Sequence, residues 1–332
     1  MSALGRLLTL RASASAAAHR AMASAAAPPA PAAGAWQVRA ALVRGLPASF
    51  SKALQMHAGG PAIDAAAAAR EHEAYTALLE RLVPRVVELP ADEAHPDCVF
   101  IEDTAIVTPC GVAVVTRPGA PERRGEVGPV AAALERLREE GAGAAAGESA
   151  AGGAPLVRAV HRLEPPALLD GGDVLQVAGF VLIGLSARTN AAAVEQVRAA
   201  LARAGARGPD GAPLRVEGVP MPHGLHLKSA CSALDDSTLL ASDDAAGRAV
   251  VDGLRSAVPA LAARLAVEFV PSDPLAANVL RIGGAVVMQA SPAEGFVRAL
   301  CDARGLRLHA LPRAAELAKA DAALTCCSIL LA

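Results

Sequence analysis

Aromatic side chains are nearly missing from this chain: Phe, Trp and Tyr make up 2% of its 332 residues. A surface that stacks nucleobases needs such rings, so that class of binding is disfavoured. Basic charge is not in surplus either, with 31 Lys and Arg against 33 Asp and Glu and a formal net charge of -2. Such a chain cannot neutralise many phosphates, and no nucleic-acid partner is expected. No uncharged apolar run reaches the ~18 residues of a membrane-crossing helix, so no membrane partner is expected. Cysteines occur at 98, 110, 231, 301, 326 and 327, yet none forms a Cys-x-x-Cys pair or has a zinc-type partner at close spacing. A chain this long needs no disulfide framework, and reduced thiols in an intracellular compartment are the simpler reading. No Gly-x-Gly-x-x-Gly opens a helix, which leaves a dinucleotide cofactor without support.

Acids are absent from the first 63 residues, Asp64 being the first. Within them, residues 1–35 are rich in Ala and Ser, carry Arg6, Arg11 and Arg20, and end in a Pro/Ala stretch around Pro28–Pro31. That composition suits a mitochondrial or chloroplast transit peptide. The plainer alternative is a disordered Ala-rich extension on a cytoplasmic protein, and a product starting at Met22 would lose most of the signal.

What the chain does have is apolar bulk, 53% of it, so Ala, Val and Leu must fill the core. That bulk falls into a repeating pattern. Helices are expected near 64–83, 128–140, 190–204, 244–264 and 291–304, with Asn190, Asp244 and Ser291 as N-caps and Ser291/Glu294 as a capping box. Each is followed by a short apolar strand running into a proline: Arg85–Pro90, Leu156–Pro165, Leu214–Pro220, Ala266–Pro271 and Leu306–Pro312. A polar segment and further strands come next, at Cys98–Val107, Val174–Leu185, Thr238–Ala241, Val279–Met288 and Ala322–Leu331. The unit recurs five times at roughly 50–65 residues, a period that points to radial or solenoid stacking. A ring of five would be an α/β propeller, a single domain over 36–332, with Gln37–Arg44 completing the blade that the C-terminal strand begins. A doubly wound sheet is the competing architecture. Residues 141–154, made of Gly, Ala, Glu and Ser, are expected to be a flexible insertion.

Ionisable residues gather in the polar segments: Asp97, Glu102 and Asp103, then Asp170 and Asp173 around a glycine pair, then His223 and His226, and finally Asp321 and Cys326. In a ring these segments converge on one cavity. Carboxylates would hold a cation, a Cys would attack it and a His would move protons. Each piece has a plain alternative: a Cys in an apolar strand is commonly just a small buried residue, and Asp170-Gly-Gly-Asp173 is also an ordinary turn sequence.

Six blocks in order, LPADEAHPDCVFIED (89–103), TRPGAPERR (116–124), LDGGDVL (169–175), GLSARTN (184–190), GLHLKS (224–229) and LTCCSIL (324–330), resemble dimethylarginine dimethylaminohydrolase over roughly residues 38–331. The resemblance implies the five-bladed α/β propeller, the pentein fold shared with arginine deiminases. It implies hydrolysis of asymmetric dimethylarginine or monomethylarginine to citrulline and a methylated amine, through a covalent cysteine intermediate and without metal or other cofactor. Cys326 matches the nucleophile, His226 the general acid/base and Asp170 the carboxylate that orients it. Glu102 and Asp103 match carboxylates at the guanidinium end, and Asp97 with the backbone of Leu54 the α-amino contacts. Arg123 and Arg188 match the pair gripping the α-carboxylate, and Asp321 is placed nearby. In His226-Leu227-Lys228 a lysine stands where the deiminases carry Asp. Rival readings are an arginine or agmatine deiminase and a catalytically silent binding module.

Overall fold

A parallel pair of strands needs a crossover between them, and a helix of 9 to 20 residues supplies it five times in this chain. The computed structural model describes residues 37–56, 59–146 and 154–332. Its strands form five three-stranded sheets of one repeated plan. A short first strand makes an antiparallel hairpin with a second, and a helix then carries the chain to a third strand parallel to the second.

The sheets are β3 (Ala105–Val107), β4 (Val112–Val115) and β5 (Ala159–Arg162); β6 (Val174–Val177), β7 (Phe180–Leu185) and β8 (Arg215–Pro220); β9 (Cys231–Ala233), β10 (Thr238–Ser242) and β11 (Ala266–Val270); and β12 (Leu280–Ile282), β13 (Ala285–Gln289) and β14 (Arg307–Leu311). The remaining sheet joins the two ends of the described chain: β15 (Ile329–Leu331) runs antiparallel to β1 (Ala40–Arg44), which lies parallel to β2 (Arg85–Leu89). The N-terminal strand thus completes the C-terminal unit, as its apolar composition suggested. No doubly wound sheet forms among the described residues.

The crossover helices are α1 (Ala65–Leu82), α2 (Val127–Ala146), α3 (Ala191–Arg203), α4 (Ala245–Ala257) and α5 (Glu294–Asp302). The carboxylate of Asp64 accepts the N–H groups of Ala66 and Ala67, and Asn190 and Asp244 cap their helices in the same manner. On α1 the buried residues are Ala68, His72, Tyr75, Leu78 and Leu79, the spacing of one apolar helix face. The middle strands β4 and β10 are buried along their whole length, whereas β2 and β11 are partly exposed. Five apolar clusters, built chiefly of Val, Leu and Ala, hold the units together.

Several boundaries differ from expectation. Residues 141–146 continue α2 rather than opening a loop, because Ala-rich sequence favours helix; 147–153 lie outside the described residues, as do 1–35. The capping box at Ser291 does not form: Ser291 Oγ accepts from Ala293 N–H at 3.1 Å within a turn, and the helix begins at Glu294. Cys98–Thr104 and Ala322–Ser328 are turns and 3₁₀ helix, leaving only β3 and β15 as strand. In both stretches backbone N–H groups donate to carbonyls three residues earlier, as Phe100 does to Asp97 and Cys326 to Ala323, instead of joining a ladder. Among the described residues no helix is long and apolar enough to cross a membrane.

Candidate active site

The segments that lead from the third strand of one unit to the first strand of the next carry the ionisable residues. In the second of them, Asp170-Gly171-Gly172-Asp173, the backbone passes too close to its neighbours for side chains. A Cβ on Gly171 would stand 1.9 Å from the Glu102 carbonyl oxygen, and one on Gly172 2.6 Å from His226 Nδ1. The glycines let the imidazole lie against this turn, where its Nε2 meets Asp170 Oδ2 at 3.1 Å. Asp170 is itself fixed, its Oδ1 accepting from Gly119 N–H at 2.8 Å and its own N–H donating to Thr189 Oγ1 at 3.1 Å. Asp173 serves the same loop: it accepts the Leu227 N–H at 2.9 Å and the Ser186 hydroxyl at 2.6 Å. Burial opposes the His226 cation, but the charge of Asp103, the hydrogen bond His226 donates to Asp170 and the charge of Asp173 outweigh it, and its pKa is pushed up to about 9. His223, the other histidine of the segment, is exposed.

Cys326 lies across the same pocket, in the 3₁₀ turn Leu324–Cys327. The vicinal pair therefore sits in a turn, not in the strand that the apolar run suggested. The outcome for the two thiols is still unequal, because a 3₁₀ turn rotates each residue by about a third of a revolution. Cys326 reaches the pocket, while Cys327 is fully buried in the apolar core. Burial, then the carboxylates of Glu102 and Asp103, push the Cys326 thiol up to about 12.

Asp97, Asp103, Arg123, Arg188, Asp321 and Leu54 line this pocket too. Asp97 accepts the Leu54 N–H at 3.1 Å, and Asp321, with φ at 57°, accepts the Met56 N–H at 2.6 Å. Asp103 takes Gly172 N–H at 2.8 Å on one oxygen and Arg123 Nη1 at 2.5 Å on the other. Burial works against its charge, but His226 and Arg123 hold its pKa below the usual carboxylate range. Arg123 is buried, and its remaining donors go to Glu126 and to the carbonyls of Phe100 and Asp97. Of the two arginines expected to act alike, Arg123 is thus largely committed to the protein. Arg188 is half-buried, and among the described residues its guanidinium has no hydrogen-bond or ion-pair partner.

Glu102 departs from expectation. It lines a separate cavity of about 150 Å³ between the first strands of the sheets and is not among the residues lining the pocket of Cys326. There it forms an ion pair with Lys228 and accepts the Thr325 hydroxyl at 3.1 Å. This cavity is the larger of the two, and Cys326 and His226 line the smaller one. Atoms of Asp103, Asp170 and His226 lie within 4.8 Å of one another, a spacing a metal could use. Their oxygens are occupied by Arg123, Gly172 and Gly119, so the trio reads as a proton-handling group. Sequence reasoning missed Glu126, which the Arg123-x-x-Glu126 spacing could have flagged, and Asn278 and Thr325, for which no such signal existed.

The family described as Arginine deiminase matches residues 154–253. A dimethylarginine dimethylaminohydrolase of Streptomyces coelicolor is 33% identical over 264 residues, covering 79% of this chain and 86% of that protein. The chain belongs to the dimethylarginine dimethylaminohydrolase family. A Pseudomonas aeruginosa member is 34% identical over 188 residues, 57% of this chain and 63% of that one. The solved structure of dimethylarginine dimethylaminohydrolase from Pseudomonas aeruginosa, a cysteine-to-serine mutant complexed with citrulline, aligns with a TM-score of 0.71 at 26% identity over 89% of this chain and 99% of that one. The N-terminal domain of ArgZ, an arginine dihydrolase of cyanobacteria, shares the fold at 15% identity, with a TM-score of 0.66 over 89% of this chain and 97% of that domain.

Proposed function

We propose that this chain is a hydrolase that converts asymmetric dimethylarginine or monomethylarginine to citrulline and a methylated amine, within a single five-bladed α/β propeller over residues 36–332. The observation that carries the reading is one pocket holding a partly buried cysteine, a buried histidine–carboxylate pair and further carboxylates, in a member of this family.

A guanidinium ion is a poor electrophile because its charge is delocalised, so it must be held with its carbon against the sulfur. Asp103 and Asp170 supply negative charge at the reacting end, and Asp97, Asp321 and Arg188 receive the amino-acid end. The substrate's positive charge favours loss of the Cys326 thiol proton to solvent, and the resulting thiolate adds to the guanidinium carbon. His226, protonated through neutral pH, gives its proton to the departing dimethylamine as the C–N bond breaks. The product of this step is a thiouronium-like cation on sulfur. Neutral His226 then takes one proton from water, whose oxygen adds to the same carbon; as the C–S bond breaks, the second water proton passes to sulfur, releasing citrulline and the free thiol.

Selectivity for the methylated substrate rests on Lys228 and Glu102. A carboxylate facing the terminal nitrogen would lose both its donors on asymmetric dimethylation, at a cost of about 1–3 kcal/mol. Position 228 holds a lysine, and Glu102 is already satisfied by it and by Thr325. The expected kcat/KM for dimethylarginine exceeds that for arginine at least tenfold, about 1.4 kcal/mol in the transition state. Citrulline release from arginine and each methylarginine tests this; equal or better efficiency on arginine would promote the deiminase reading. Residues 1–35 we read as an organelle transit peptide.

A further inference from the structure

Hydrogen bonds link all five connecting segments into a closed circuit behind the pocket. Asp103 in the first segment accepts Gly172 N–H of the second at 2.8 Å, and Asp173 of the second accepts Leu227 N–H of the third at 2.9 Å. In the fourth segment Asn278 Nδ2 donates to the Lys228 carbonyl of the third at 3.0 Å and to Thr325 Oγ1 of the fifth at 3.0 Å. Its Oδ1 accepts the Thr325 N–H at 3.3 Å. Thr325 Oγ1 returns to the first segment by donating to Glu102 Oε2 at 3.1 Å.

Apart from Asn278, each member of the third-to-first part of this circuit is a close chain neighbour of a proposed reacting group. Lys228 is two residues from His226, Thr325 is adjacent to Cys326, and Glu102 is adjacent to Asp103. The fourth unit contributes no ionisable group to the pocket, and Asn278 is buried at 2% exposure with its donor and acceptor both in use.

Resting on the hydrolase reading above, we infer that Asn278 is a positioning residue, which fixes the turn bearing Cys326 relative to the segment bearing His226. Side-chain reach explains why an asparagine suits the place. A carboxylate could accept from Thr325 N–H but could not donate to the Lys228 carbonyl or to Thr325 Oγ1, and a hydroxyl offers one donor on a shorter stem. Displacing a nucleophile by about 1 Å costs on the order of a hundredfold in rate, whereas contacts to the distant amino-acid end of a substrate are unaffected.

The test compares the full chain with Asn278→Ala, Asn278→Asp, Thr325→Val and the Asn278→Ala/Thr325→Val pair. Both Asn278 variants should lose at least about tenfold in kcat with KM changed less than about threefold. The paired variant should lose no more than its worse member, because one link is cut twice. Alkylation of Cys326 by iodoacetamide, followed by peptide mass spectrometry, should accelerate in the Asn278 variants as the turn loosens. That readout needs no substrate, so it stands even if the natural substrate is not a methylarginine. If Asn278→Ala does not fold, Asn278→Asp, nearly identical in shape, carries the comparison. Unchanged kcat, a loss confined to KM, additive losses in the pair or unchanged alkylation would each overturn the inference.

Discussion

The ionisation of Cys326 gives the account its sharpest quantitative consequence. Burial and the carboxylates of Glu102 and Asp103 push this thiol up to about 12, so at pH 7.5 the free protein holds almost no thiolate there. A cationic substrate reverses this. Two unit charges about 4 Å apart attract by about 4 kcal/mol at an effective dielectric constant of about 20. At about 1.4 kcal/mol per unit, that lowers the thiol pKa by about three units, to near 9 and close to an ordinary cysteine. The nucleophile is therefore generated by the substrate rather than stored. The assay is the rate of Cys326 alkylation by iodoacetamide, an uncharged reagent, measured by mass spectrometry from pH 6 to 11. The rate should still be climbing at pH 10, whereas kcat should rise at lower pH, with its acid limb centred near pH 9, and then turn down as His226 loses its proton. Alkylation that levels off at or below pH 8 without substrate would mean a preformed thiolate and would refute the reasoning.

Further outcomes follow from the same geometry. Asp170→Asn removes a carboxylate that helps hold the His226 pKa at about 9. Its kcat should fall by about a hundredfold or more, and the alkaline limb of the pH profile should move down. Because the His226 pKa is raised on folding, its stabilisation is full below the unfolded value near 6.5 and is lost as pH rises through about 9. Melting curves should show that loss in the parent and less of it in Asp170→Asn. Arg188→Ala should raise KM for free methylarginine about tenfold or more without changing the bond cleaved; agmatine serving the parent better than a carboxylate-bearing substrate would defeat that role. A fusion of residues 1–40 to a fluorescent reporter should enter an organelle, and cytosolic fluorescence would remove the transit-peptide reading.

Much of the fold was legible because its unit is local. Apolar periodicity, the caps at Asn190 and Asp244 and the prolines at the end of each third strand recur from unit to unit, and β1 could be paired with β15 by counting strands. The connecting segments were harder to read. Cys98–Thr104 and Ala322–Ser328 are apolar enough to pass for strand, yet their backbone turns so that Asp103 and Glu102 bind partners far away in sequence and Cys326 reaches the pocket. Lys228 and Glu102 are 126 residues apart, and nothing local announces that they neutralise each other. The withdrawal of Arg123 combines a pair with Asp103, 20 residues away, with a local i,i+3 pair to Glu126 that the spacing alone could have suggested. Asn278 carries no charge and belongs to the one segment with no reactive group, so only the three-dimensional circuit draws notice to it.

The central claim is that Cys326 removes a methylated amine from arginine through a covalent intermediate. Rapid acid quenching of protein with dimethylarginine, fragment-ion mass spectrometry of the peptide bearing both cysteines, and amine analysis of the supernatant address it together. The account predicts a thiouronium adduct on Cys326, none on Cys327, and dimethylamine released with citrulline in equal amounts. An adduct on Cys327, or ammonia in place of dimethylamine, would contradict it.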